Sequence, residues 1–210
     1  MTGGCTGVIL AGGRATRYGG APKGLVEVGG QRIIDRVRAA LEDAADDLLL
    51  IANDEAASGW LPDVRCAADV RTDAGSLGGI HAALVHASRA VLVVAWDMPF
   101  VTGSLLHDLR TLGQSADVAV PESGSKRGVE PLCAYYGAAC LPAIERRLDA
   151  GDRRVVAFFD DVRVAYLDAA RVARHGDPTR LFMNVNTPDD LALAEEHATT
   201  ANGGRDRQEA

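Results

Sequence analysis

Thr6-Gly7-Val8-Ile9-Leu10, followed by Ala11-Gly12-Gly13-Arg14-Ala15-Thr16-Arg17-Tyr18-Gly19-Gly20-Ala21-Pro22-Lys23, is an apolar run that breaks into a loop of glycines and cations. Its lack of apolar/polar alternation makes Thr6–Leu10 a first strand, covered on both faces. Glycines in the loop let the backbone approach a ligand closely and aim N–H groups at anionic oxygens. Arg17 and Lys23 place positive charge where a polyphosphate would lie. The spacing belongs to neither standard phosphate loop. Gly24 follows Lys23 where a P-loop needs Ser or Thr, and Gly-x-Gly-x-x-Gly is absent.

Outward from this stretch, short apolar runs alternate with amphipathic ones. Ile33, Ile34, Val37, Ala40, Leu41 and Ala44 recur at helical spacing. Leu48–Ala52, Val64–Ala67, Ala90–Ala95, Val118–Pro121, Leu132–Tyr136 and Val162–Leu167 read as strands. Helices are predicted over Gly79–Ala87, Leu105–Leu112 and Leu141–Leu148. Thr187-Pro188-Asp189-Asp190 starts a last helix, with a Thr cap, Pro at the first position and acids in the first turn, running to about His197. The pattern predicts one domain over 1–197, with 198–210 a small, polar, disordered tail. Its architecture is a doubly wound α/β domain: a mostly parallel sheet with helices on both faces, Rossmann-like. Ligands in such folds sit beyond the carboxyl ends of the strands.

Composition narrows the function classes. The chain has 210 residues, is 47% hydrophobic and carries a net charge of -7, which disfavours nucleic acid as the main partner. The longest apolar run, Ala90–Trp96, is far short of the ~20 residues that span a bilayer, and no basic segment opens a secretory signal. Cys5, Cys66, Cys133 and Cys140 form no Cys-x-x-Cys pair, which fits thiols in a reducing cytoplasm. Against that acidic whole, residues 1–26 hold no Asp or Glu but carry Arg14, Arg17 and Lys23. Of 22 cations, only Lys23 and Lys126 are lysines. A Lys at the end of the glycine loop points to a need for a compact ammonium rather than a planar fork.

Asp97 follows the Ala90–Ala95 strand, in Trp96-Asp97-Met98-Pro99. A carboxylate at a strand end suits Mg²⁺, which takes one or two carboxylates and completes its shell with phosphate oxygens and water. No Ser/His/Asp or Cys/His constellation is recognisable along the chain.

Together these motifs resemble the nucleotidyltransferase family of molybdenum cofactor guanylyltransferase. The family pattern Leu-Ala-Gly-Gly-x-x-x-Arg-Met-Gly-x-x-x-Lys is met by Leu10 through Lys23, with Tyr18 at the Met position. Gly75-Ser76-Leu77-Gly78-Gly79 is similar to the family's Gly-Pro-Leu-Gly-Gly, and Asp97-Met98-Pro99 to its Asp-x-Pro metal site. Arg153-Arg154 and Asn184-Val185-Asn186-Thr187-Pro188 match later segments. The resemblance covers residues 6–197.

It implies transfer of GMP from GTP to molybdopterin (or Mo-molybdopterin), with release of pyrophosphate and with Mg²⁺ as cofactor, in the cytoplasm and beside other proteins of the cofactor pathway. Residue by residue, it implies that Leu10, Ala11, Gly12 and Gly13 contact the guanine nucleotide. Arg17 and Lys23 meet its phosphates, Asn53 and Asp69 its nucleoside, and Asp97 the metal. Asn184 and Asn186 hold the pterin substrate, and Glu130-Pro131-Leu132 falls on that side. Asn184 and Asn186 also read as turn and cap residues, Asn53 as a strand-end turn, and Arg153-Arg154 as a solvated helix face. The alternatives are a cytidylyltransferase of the same pathway or a related nucleotidyltransferase, since Gly12-Gly13 after Ala11 is the one signal for guanine, and, more remotely, an inactive nucleotide-binding module.

Overall fold

The computed structural model describes residues 4–11 and 22–203. In chain order its elements are β1 (Cys5–Ala11), β2 (Glu27–Val28), β3 (Gln31–Arg32), α1 (Ile33–Glu42), β4 (Asp47–Ala52), β5 (Arg65–Ala67), α2 (Gly75–Ala87), β6 (Ala90–Ala95), α3 (Gly103–Gly113), β7 (Val118–Pro121), β8 (Cys133–Tyr136), α4 (Leu141–Asp149), β9 (Val164–Leu167), α5 (Ala169–Val172), α6 (Pro178–Leu181) and α7 (Pro188–Gly203). Gly12, Gly13 and Arg17, with the rest of the loop from 12 to 21, lie outside the described residues.

Every residue of β1 is buried. Ile9 and Ala11 face a core shared with α1 and α3, whereas Val8 and Leu10 face one shared with α2 and α4. Strand β6 divides the same way, Leu92 and Val94 to the first layer, Val91 and Val93 to the second. Two apolar layers explain why these strands show no alternation.

The seven-stranded sheet has the order β5-β4-β1-β6-β8-β7-β9. β1 pairs in parallel with β4 (Ile9 opposite Leu50) and with β6 (Ile9 opposite Val94). Only β8 runs against its neighbours β6 and β7. The chain winds outward from β1 through β4 to β5, then crosses back to β6 on the other side of β1. Strand order reverses between β1 and β6, and in such sheets the ligand crevice lies beyond the carboxyl ends of the strands at that point. Loops after β4, β5, β7 and β9 reach the same edge.

The predicted doubly wound sheet is the one observed, and three local differences have physical causes. Helix α2 begins at Gly75 rather than Gly79. Its opening Gly-Ser-Leu-Gly has weak helix propensity, but packing favours it: a Cβ on Gly79 would run into the Leu10 side chain. Strands β2 and β3 form a hairpin not anticipated from the sequence, turning on Gly29 (φ 60°) and Gly30 (φ 74°), where the left-handed backbone needs glycine. Helix α7 continues past His197 to Gly203, so the expectation of a disordered stretch from 198 is corrected over 198–203. Small residues hold that helix: Ala194 and Ala198 are buried, and Glu195 Oε2 accepts the Gly29 N–H at 3.0 Å. Alanines give little periodic signal, so the sequence pattern fades before the helix does. Residues 204–210 lie outside the described residues. Among the described residues, no helix is long and apolar enough to cross a membrane.

Candidate active site

Lys23 sits in a single 3-10 turn, Lys23–Leu25, entered from extended Pro22 and closed by Leu25 N–H to Pro22 O at 3.0 Å. The next residue explains why the turn lies where it does. Gly24 is buried against the face of Trp96, and a Cβ there would penetrate the indole ring. Trp96 in turn stacks on Trp60, with ring centroids 5.1 Å apart and planes at 20°. Trp96 immediately precedes Asp97, so the seat of the lysine turn and the end of β6 are one packing unit. Gly24 thus has a steric role at the position where a P-loop carries a hydroxyl. Gly24→Val is expected to lower stability by about 1–3 kcal/mol, the usual cost of overpacking, and to change tryptophan emission. Thermal unfolding followed by fluorescence checks this, and unchanged melting with unchanged emission would show that the turn does not rest on Trp96.

The end of the chain closes the site. Val185 N–H donates to the main-chain oxygen of Asp97 at 2.9 Å. Asp190 Oδ2 accepts from Asn186 N–H (3.0 Å) and Thr187 N–H (2.8 Å), while Thr187 Oγ1 accepts from Asp190 N–H, a reciprocal cap on α7. The predicted Thr cap is therefore present, and it orients Asn186, whose Oδ1 accepts a hydrogen bond from Lys23 Nζ. Lys23, Asp97 and Asn186 converge from three distant parts of the chain.

Asp97 is half-buried, and its Oδ1 has no hydrogen-bond partner among the described residues. Burial pushes its carboxyl above the usual range, opposed by the Lys23 ammonium and its own main-chain N–H. Glu130 lies close by: burial raises it too, the charge of Asp97 raises it further, and the Leu132 N–H and the Arg127 guanidinium oppose the rise. Two carboxylates, one with a buried oxygen that has no partner among the described residues, are a donor set that suits a cation. No cluster of three or more His, Cys, Asp or Glu side chains able to hold a metal occurs among the described residues.

On the other side of β1, Asn53 and Asp69 form a reciprocal pair across the ends of β4 and β5. Asn53 Nδ2 donates to Asp69 Oδ2 at 2.8 Å, and Asp69 N–H donates to Asn53 Oδ1 at 2.9 Å. Asp69 Oδ1 is buried and has no partner among the described residues. Leu10 and Ala11 are buried in β1: the Leu10 side chain packs on Gly79, and its main-chain oxygen accepts the Trp96 N–H. Leu10 therefore presents no side chain to the crevice. Asn184 donates to Phe182 O at 3.0 Å, the turn chemistry that was one of its two readings. Arg153 and Arg154 are not on a helix face; they follow α4, whose end is tied to the loop after β5 by Arg71–Asp149 at 2.5 Å. Arg154 forks onto Asp152.

Two features take shape only in the folded chain. Glu130 was placed only by resemblance, and its approach to Asp97 depends on β8 pairing with β6. The expectation of no Ser/His/Asp constellation is also corrected: His175 bridges Ser104 Oγ (3.0 Å from Nδ1) and Asp108 Oδ2 (3.2 Å from Nε2). Arg171 shares Asp108, so the cluster ties the segment after α5 to α3. No sequence spacing announces it, since the histidine is 71 residues from the serine.

Comparison with known proteins adds four findings. The profile of the MobA-like NTP transferase domain matches residues 7–166. A probable molybdenum cofactor guanylyltransferase of Pelotomaculum thermopropionicum is 39% identical over 95% of this chain and 96% of its own. A molybdenum cofactor guanylyltransferase of Desulfosudis oleivorans is 37% identical over 90% and 94%. Among solved structures, molybdopterin-guanine dinucleotide biosynthesis protein A of Archaeoglobus fulgidus superimposes with a TM-score of 0.78 at 29% identity, covering 93% of this chain and 99% of that one.

Proposed function

This chain belongs to the MobA-like NTP transferase family, and we propose that it acts as a molybdenum cofactor guanylyltransferase, transferring GMP from GTP to molybdopterin or Mo-molybdopterin and releasing pyrophosphate. The observation that carries the chemistry is the convergence of Lys23, Asp97 and Asn186 beside a buried carboxylate oxygen that has no partner among the described residues. A terminal phosphate of the acceptor forms a bond to the α-phosphorus of GTP, and the bond to the β-phosphate oxygen breaks. The nucleophile is already an anion at neutral pH, so no general base is required. The barrier is dominated by bringing two polyanions together, and positioning and charge neutralisation lower it.

In this reading Lys23 meets the phosphates as a point charge, held in place by Asn186 Oδ1. Arg17, with Gly12 and Gly13, contributes from the glycine loop. Asp97 would hold Mg²⁺, with Glu130 as the neighbouring carboxylate. When bound, the cation would offset phosphate charge and polarise the phosphorus under attack. Asn53 and Asp69 would face the nucleoside from the β4–β5 side.

Pyrophosphate release, measured with molybdopterin and Mg²⁺ against GTP, CTP and ATP in turn, tests the proposal. The expected result is turnover with GTP and at least about tenfold lower kcat/KM with CTP, the discrimination that one or two base-edge hydrogen bonds supply. Preference for CTP would make the chain a cytidylyltransferase. Nucleotide binding without turnover would favour a silent module.

A further inference from the structure

The cleft on the far side of Asp97 has no role in the chemistry above. It encloses about 600 Å³ between the loop that joins β7 to β8 and the segment around α6. Glu122, Ser123 and Ser125 line one wall, and Pro178, Thr179 and Phe182 the other. The first wall is a built one. Ser123 N–H donates to Gly128 O, Glu130 N–H to Pro121 O, and Ser125 Oγ to Val129 O. Glu122 Oε2 accepts the Ala169 N–H at 3.0 Å, which holds the carboxylate at the cleft.

Both walls lead back to the reaction centre. The loop ends at Glu130, whose carboxyl feels the charge of Asp97. The opposite wall runs from Phe182 to Val185, whose N–H is bonded to the main chain of Asp97. The cleft therefore lies beyond the carboxyl ends of β7 and β9, on the opposite side of Asp97 from the Asn53–Asp69 pair, so a molecule seated in it would approach the α-phosphorus from the acceptor's direction.

We propose that this cleft binds the pterin heterocycle of the acceptor, with Glu122 pairing the adjacent N–H groups of its 2-amino-4-oxo-pyrimidine edge. This deepens the guanylyltransferase reading and rests on it. A carboxylate accepts two parallel N–H bonds from such an edge, a charge-assisted and geometrically selective pair. Phe182 and Pro178 supply apolar surface for a flat ring, while Ser123 and Ser125, whose protons go to Ser125 Oγ and Val129 O, offer hydroxyl oxygens that accept from ring N–H groups. Guanine carries the same N–H edge, so the test must separate the two heterocycles.

Glu122→Gln keeps the side chain's shape and an acceptor for Ala169 N–H but loses the second N–H acceptor. KM for molybdopterin is expected to rise roughly tenfold to a hundredfold, with KM for GTP unchanged. Quenching of free pterin's own fluorescence is expected on titration with the nucleotide-free protein and to weaken in the variant. Thr179→Trp, a substitution at an exposed residue that fills the cleft, is expected to raise the acceptor KM in the same way.

A rise in the GTP KM of Glu122→Gln, with the acceptor KM unmoved, would assign the cleft to guanine and overturn the inference. Unchanged acceptor KM in both variants would also overturn it, while the wild-type protein's GTP-dependent turnover would leave the guanylyltransferase reading standing. Absence of wild-type turnover with GTP and molybdopterin would instead remove that reading, and the inference with it.

Discussion

Asp97→Asn is expected to reduce nucleotidyl transfer by about a hundredfold to a thousandfold or more, the scale of losing a key electrostatic group, while raising the melting temperature of the metal-free protein at neutral pH. The two effects share a cause. Asp97 is half-buried, and its Oδ1 has no partner among the described residues, a poor place for a charge but a good one for a cation. Burial holds its folded-state carboxyl above the ordinary range. Between the unfolded and folded titration points the folded chain keeps a proton that the unfolded chain has lost. Stability therefore falls as pH rises through that window, and the full penalty is present above it.

Asparagine carries no charge and escapes the penalty. Its advantage, about a few degrees, is expected to be largest near neutral pH and to fade as pH falls into the ordinary carboxylate range. Melting curves in chelator, from about pH 8 to about pH 4, check this. A divalent cation should then raise the melting temperature of the wild type but not of the variant. A variant that melts below the wild type at neutral pH would show that Oδ1 is satisfied in the protein.

Lys23→Ala is expected to lower the single-turnover rate by about a hundredfold to a thousandfold. The loss has two parts, the ammonium proposed to face the phosphates and the positive charge that opposes the upward push on Asp97. Without that cation Asp97 is held still higher, so the acid limb of the pH–rate profile is expected to move to higher pH. Lys23→Arg should not restore the rate, because a planar guanidinium on a longer reach does not reproduce a compact ammonium at Asn186 Oδ1. Full activity of the arginine variant, or an unmoved acid limb in the alanine variant, would place Lys23 outside the reaction centre.

Much of the sheet is legible because its strands are short, apolar and bounded by turns. Strands β6 and β7 have the expected bounds, Ala90–Ala95 and Val118–Pro121. The hairpin at Gly29-Gly30 escaped notice because two-residue strands carry no periodic pattern. The end of α7 did so because Ala194 and Ala198 bury themselves without being large. The residues proposed for the site were recognisable by type. Glu122 was not, because an exposed-looking Glu in Pro121-Glu122-Ser123-Gly124 becomes a cleft wall only when α6 folds against it.

The sequence by itself determined the layered sheet, the basic glycine loop within an acidic chain, and the lysine and aspartate suited to phosphate and metal. Those follow from local pattern and residue chemistry. The tertiary structure alone decided which of these groups meet and in what medium. Lys23 reaches Asn186 across 163 residues, because strand order sets β1 beside β6 and the α7 cap returns to the end of β6. Asp97 carries a raised carboxyl because of what covers it, and desolvation is a property of packing that no spacing of residues encodes.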